Sequence, residues 1–571
     1  MNSIIAKRTG WKRLESRRAF CVFAGLLLLV KLWSMQGLPI WALPLAPHDD
    51  AMMVNIAHQI GNGGPEYDQL TLVKGWSFPL FLAVIHKLRL PYLLSMALLH
   101  AGVSLMAAAA LSDGRMKPFH YALYAALLFN PAMTSRDILL RVYRNGLSAL
   151  TAFAVIVALI AIYLRRYRRP ASWLPWTIAA CVALPVFYYT REDSIWLLPF
   201  LFGVAAVSSL SAWLSGKKRR AAGLLAACML PVLALGGTSV GLRAQRQAKY
   251  GVGITNELSE GEFPRVMKAI YAVKTDEEEP LYVAASRAKI RMLYAYSPSL
   301  RSIESELEAK LDEWSQYARL PENREKREVE NGWFFWCLRD AAQQAGHFAS
   351  LEDSQAFWKR MADELESALD GDQLERRWTM PSALMPPWTE GTGERLMQAL
   401  ARIPDFVSSF EEIPAELEFS MGRLNKSVNR FEAITGNIAI CDYGDSFYEA
   451  AVKAIETQNQ IAELYQRVWP VLSAAGRLCA AALLLLLVCM RNSSDSLRQS
   501  VWILAGVAGA LLVLYGGVAY NHAESCNSII TLYLSAAYPL VILFDMLAIR
   551  EAGLHVGARL LVCARNRKEK T

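Results

Sequence analysis

Nine cysteines occur in the 571-residue sequence, with no C-x-x-C pair among them. Five fall inside long apolar runs, and the three expected on outer segments, Cys337, Cys441 and Cys526, are an odd number that specifies no disulfide framework. A single Cys337–Cys441 bridge stays open. No G-x-x-x-x-G-K-[ST] is present, which excludes a nucleotide-driven pump, and no H-E-x-x-H, which excludes a zincin. YGVGITNELSEGEF holds Gly251 and Gly253 without a complete G-x-G-x-x-G or a preceding strand pattern, so it reads as a loop. No repeat of fixed period and no low-complexity tract appear. No small-residue cleavage site follows the first apolar run, so that run is expected to remain as an anchor.

Apolar sequence is abundant instead, at 54% of residues. A hydrocarbon core about 30 Å thick needs roughly 20 helical residues to cross it. Runs at 19–38, 92–112, 121–135, 147–164, 174–190, 195–213, 221–238, 470–490, 501–520 and 528–549 give ten expected spans. The net charge of +8 could suit nucleic acid, but its placement argues against that partner. KRTGWKRLESRR at the N-terminus, RRYRR at 165–169, KKRR at 217–220 and RNRKEK in the tail all flank spans. With both termini inside, about 24 basic residues fall on the cytoplasmic side against roughly 7 on short outer loops, as the positive-inside rule expects. The inner connections are short, leaving no room there for a nucleotide-sugar domain or a signalling output.

The fold class expected is an all-α polytopic membrane protein in three parts. Residues 1–238 hold seven spans, with a first outer loop at 46–91. Within that loop 75–91 is apolar but too short to cross, and reads as an interfacial helix. Residues 239–466 form a mostly helical extracytoplasmic domain, and 467–571 hold three further spans and a basic tail. In the domain, Ser350 is placed as an N-cap with Asp353 three residues on. Phe357, Met361, Leu365 and Leu369 follow at spacing four, and Gly371 stands past the end. MPSALMPPWTEGTG (380–393) is a Pro- and Gly-rich break expected to be an exposed loop.

Chemistry gathers on the outer side. His48, Asp49 and Asp50 follow the first span, and Lys74 stands in LVKGWSFPLFLA. A carboxylate at headgroup depth can take a proton from an attacking hydroxyl, and a lysine can hold a phosphate as a point charge. Solvated aspartates and a snorkelling lysine are the structural alternative. YYTREDSIWLLP brings Arg191, Glu192 and Asp193 to the same side; the arginine would pair with a lipid phosphate, and an acid would order an acceptor or a metal. SRDILLRVYRNG adds Arg136, Arg141 and Arg144 to an outer loop, where the charge rule disfavours them, and so suggests an anionic ligand. ENGWFFWCLRD, with Trp333 to Trp336 all aromatic, is either core or an acceptor- or membrane-facing surface.

The order of apolar span, HDD, and a stretch ending KGWSFPLFLAVIHKL resembles the GT-C class of membrane glycosyltransferases over about residues 15–240. Asp49 and Asp50 match that class's acidic pair; Lys74, Gly75 and Pro79 match its later stretch, with Trp76 where proline is common. The resemblance implies sugar transfer from a polyprenyl-phosphate donor to an extracytoplasmic glycan, lipid or protein acceptor, with inversion. Asp49 would be the base and Asp50 would orient the acceptor or bind a divalent ion, carboxylates favouring Mg²⁺ or Mn²⁺. Lys74, Arg191, Arg136 and Arg141 would hold the donor phosphate, with His48, Glu192 and Asp193 orienting acceptor or metal. The 239–466 domain is expected to serve acceptor recognition alone. The location implied is the bacterial inner membrane, among membrane lipids. A lipid-linked substrate transporter or an extracytoplasmic receptor are the rival classes. The near absence of charge inside the spans, with Lys31 and Asp545 the main exceptions, tells against transport.

Overall fold

The computed structural model describes residues 15–275, 279–380, 382, 384–422, 426–489 and 494–568, with side chains to 555 in the last helix. Most of the basic N-terminal cluster and the RNRKEK tail therefore lie outside the described residues and side chains. The described chain is helical; its only β features are three isolated bridges.

Among the described residues, six helices are long and apolar enough to cross a membrane: Tyr92–Ala110, Asn145–Leu164, Ser194–Leu214, Lys218–Tyr250, Tyr448–Cys489 and Asp495–Glu524. Asn145–Leu164 is central, with 94% of its apolar window buried by its neighbours. It can be apolar on every side because other helices surround it. Arg17–Ser34 carries Arg17, Arg18 and Lys31, and Leu174–Tyr188 is a shorter apolar helix. The run at 121–135 is not one continuous helix. Pro118–Leu128 has 11 residues, about 16 Å. Asn130 then accepts a bond from the Ala132 amide and starts a 3₁₀ turn at Pro131. In the last expected span the helix begins only at Ala537. Lys31 donates to the Leu128 carbonyl (2.8 Å) and Asp545 accepts from Trp469 (3.1 Å), so both of these ionisable groups have a local partner.

The loop at 46–91 contains two short helices. Ser77–Lys87 is the expected apolar one, and Asp50–Ile60 starts at the acidic pair itself. Residues 239–466 pack on this loop through a buried core continuous with that of the bundle. Arg339 and Glu257, both fully buried, pair at 2.9 Å, and Arg339 also reaches the Gln69 carbonyl. On the other flank Asn331 donates to the Glu524 carbonyl at the end of Asp495–Glu524. The Leu351–Asp370 helix has the predicted Ser350 cap and the predicted buried face. The 380–393 stretch is less free than expected. Trp388 is exposed, but Thr392 is buried and bonds to Glu524, and Tyr520 donates to the Pro386 carbonyl. Cys337 and Cys441 are both free thiols; Cys337 is buried within the Asn331–Gln344 helix, and the bridge left open by the sequence is not made.

Candidate active site

Three backbone amides fix the segment that leads to the acidic pair. Leaving the first helix, Ile40 donates to the Ile438 carbonyl (2.9 Å), Trp41 to that of Leu140 (2.8 Å), and the Ala42 amide to Ser420 Oγ (2.9 Å). The chain is thereby held on both sides before it reaches His48. The Asp50–Ile60 helix then begins at once, with Asp50 in its first turn, where the helix dipole favours a negative charge.

Lys74 is positioned from the other end of the loop. The Leu72 carbonyl accepts from the Glu257 amide (2.8 Å), and Trp76 Nε1 donates to the Thr71 carbonyl (2.9 Å). At Gly75 the backbone lies so close to Tyr189 that an added Cβ would fall 1.9 Å from its carbonyl oxygen, so only glycine fits. Lys74 Nζ then donates to the His48 carbonyl (2.6 Å), to Tyr143 Oη (3.0 Å) and to Asp49 Oδ1. All three ammonium protons are engaged.

The two aspartates differ. The Asp50 side chain is fully buried, and Arg141 Nε donates to both its oxygens, at 2.8 and 3.0 Å. Burial pushes its carboxyl up against the pull of Arg141. It presents no free edge to an acceptor or an ion, which argues against the orienting or metal-binding task expected of it. Asp49 keeps 44% of its side chain exposed. Burial of the rest works to raise its carboxyl, but Lys74 and Arg141 outweigh that and hold it below the ordinary carboxylate range. For Lys74 burial works downward, and Asp49 more than compensates, so the ammonium is held above its usual value.

Tyr143 is the hub of the cations. Its ring centroid lies 5.2 Å from Lys74 Nζ, 4.8 Å from the Arg141 guanidinium and 5.3 Å from that of Arg144, and its hydroxyl donates to Asp49 (3.1 Å). Arg144 pairs with Glu192 at 2.6 Å, and Arg191 with Asp193 at 2.7 Å. Burial works to raise Asp193, and Arg191 overcomes it and lowers it. Four cations (Lys74, Arg141, Arg144, Arg191) thus face four anions (Asp49, Asp50, Glu192, Asp193). Two donors stay unsatisfied in this balanced cluster: Arg144 Nε and Asn145 Nδ2 are buried with no partner.

Arg136 stands apart from this group. It pairs with Glu418 (2.8 Å) and Asp137 (3.3 Å) and lies over the Trp41 ring, so its charge is spent on holding the 136–140 turn to the 239–466 segment. His48 is not beside an open ligand position either. Its Nε2 lies 3.0 Å from Asp340 Oδ1, and its ring packs against Trp314 and Trp336, each with centroids 5.0 Å away. Trp336 also stands 5.5 Å from Lys74 Nζ. Gln69 (2.7 Å) and Trp314 (2.9 Å) both donate to Asp340. The 239–466 segment therefore touches the acidic motif directly, through Asp340, Trp314 and Trp336. Tyr143 sits within a stretch whose arginines were already conspicuous, whereas Asp340 lies 292 residues from His48 with no sequence signal joining them.

No family model matches the sequence, and no curated protein does. Among solved structures the chain is similar to the crystal structure of ArnT from Cupriavidus metallidurans in the apo state. The identity is 13% over 83% of this chain and 81% of that chain, with a TM-score of 0.30. What this site can do follows from its side chains.

A metal does not fit them. Among the described residues no three His, Cys, Asp or Glu side chains stand together as a ligand group. Both aspartates of the pair are already compensated by Lys74 and Arg141, so a divalent ion would enter against two fixed cations.

Proposed function

We propose that the protein is a membrane glycosyltransferase that moves a sugar from a polyprenyl-phosphate donor to an acceptor on the extracytoplasmic face. The observation that carries this reading is Asp49: a half-open carboxylate bonded by Lys74 and Tyr143, beside a buried Asp50–Arg141 pair. A carboxylate fixed beside a cation suits a reaction in which a proton is taken and a phosphate leaves.

The acceptor hydroxyl loses its proton to Asp49 as its oxygen bonds to the anomeric carbon. The carbon–oxygen bond to the phosphate breaks on the opposite side, and the phosphate leaves with the electron pair, which inverts the centre. Lys74 is the cation nearest Asp49, and Arg144 Nε and Asn145 Nδ2 are donors without an acceptor, so a phosphate oxygen would complete them. When Lys74 turns to that phosphate, Asp49 loses its nearest counter-charge and becomes a stronger base. Donor binding would then prepare the base that uses the donor. Asp50 acts through Arg141 as a positioning residue, and Glu192 and Asp193 set Arg144 and Arg191. Arg136 is left out of the phosphate site. This reading requires the acidic pair and residues 239–466 to share the extracytoplasmic face.

The test is a panel of polyprenyl-phosphate sugars supplied to the purified chain in proteoliposomes with envelope lipids and glycans as acceptors. Release of free polyprenyl phosphate with one of the sugars, dependent on acceptor, is expected. Failure of every lipid-linked sugar, alongside turnover of a nucleotide sugar, would contradict it.

A further inference from the structure

The Lys218–Tyr250 helix has 33 residues, about 50 Å at 1.5 Å per residue, while a hydrocarbon core is about 30 Å thick. Beyond its apolar stretch at 221–238 come Arg243, Arg246 and Lys249, on turns that reach headgroup depth. There a groove of about 560 Å³ opens between this helix, Leu174–Tyr188 and Ser77–Lys87. Leu80, Val182, Pro185 and Val186 give it apolar walls, and Arg246 and Lys249 give it charge.

Arg246 is only 2% exposed, yet its Nε and Nη1 are buried without a hydrogen-bond partner. Its guanidinium lies 3.3 Å from the centroid of the Trp76 ring, which supports the cation but cannot accept its edge N–H groups. No carboxylate pairs with Arg246 or Lys249 among the described residues; Lys249 donates to the Gly63 carbonyl (3.0 Å). A buried guanidinium with unpaired donors is costly unless an anion completes it. The apolar walls beside it would serve no purpose for a free inorganic ion. None of Asp49, Asp50, Lys74, Arg141, Arg144 or Arg191 lines this groove.

We propose that the groove is a second lipid site, which holds the phosphate of a lipid headgroup on Arg246 and Lys249 and lays its chain along Leu80, Val182 and Val186. The proposal does not depend on sugar transfer. Two sources share this chemistry, a polyprenyl phosphate and a membrane phospholipid.

The experiment uses the full chain in detergent, a diazirine-bearing prenyl phosphate, and peptide mapping after photolysis. Wild type should be labelled within 77–87 and 174–188, and Arg246→Gln should lose that labelling by about tenfold or more, the scale of a lost charge-assisted bond. Arg246→Lys should keep part of it, and the matching prenyl alcohol should label weakly. Unlabelled prenyl phosphate and phosphatidylglycerol are then tested as competitors. Displacement by either supports the site and names its occupant, and displacement by neither overturns it. Equal labelling of Arg246→Gln, with a thermal transition like that of wild type, or equal labelling by the alcohol, would also overturn it. Because these readouts need no turnover, they stand or fall separately from the transferase reading.

Discussion

Asp49 and Asp50 are neighbours in sequence with opposite surroundings, and substitution should separate them. Asp50→Asn leaves Arg141 without its buried partner, and breaking such a pair costs about 3–5 kcal/mol. A clear fall in thermal transition is expected for Asp50→Asn and a much smaller one for Asp49→Asn, whose side chain is 44% exposed. The same residues give stability a pH dependence. Asp49 has its carboxyl lowered in the fold, so its contribution is present above about pH 4, where the unfolded carboxyl ionises, and is lost as pH falls through its folded value. Lys74 is raised, so its contribution is present below about pH 10 and is lost as pH rises through its folded value. Thermal melts across this range should show a plateau with both shoulders. The acid shoulder should be shallower in Asp49→Asn; an unchanged shoulder would mean that Asp49 is not held by Lys74.

At the scale of elements, Asn331–Gln344 matters most, because it brings Trp336 and Asp340 onto the motif. A substitution such as Trp336→Leu removes a ring beside both His48 and Lys74. It should lower kcat as well as raise KM, in a variant whose thermal transition shows it folded; a change in KM alone would restore the separation of roles expected from the sequence. What the sequence disclosed follows from this difference. The Ser350 cap, the spacing of Phe357 to Leu369 and the Ser77–Lys87 helix were legible because they rest on periodicity and capping within one segment. HDD, Lys74 and the arginine loop were legible because charge at a membrane boundary is costly. The Asp340–His48 contact and the Arg136–Glu418 pair were not, since each joins segments more than 280 residues apart. The broken run at 121–135 was missed because hydropathy counts apolar residues but does not see Asn130 capping a turn.

At the scale of the molecule, Glu66 and Glu352 are exposed on the 46–91 loop and the 239–466 segment, while Lys218 is exposed at the far end of the Lys218–Tyr250 helix. In a chain freed of its native cysteines, Glu66→Cys and Glu352→Cys should react with a membrane-impermeant thiol reagent from outside, and Lys218→Cys only after permeabilisation. The reverse pattern would place the acidic pair on the wrong face for a lipid-linked donor. If Asp49 takes the acceptor's proton as proposed, single-turnover sugar transfer by Asp49→Asn, with the donor bound to saturation, will report it. A loss of about 10² to 10⁴ in rate, with donor binding retained, is the predicted result. Transfer at close to the wild-type rate would contradict it.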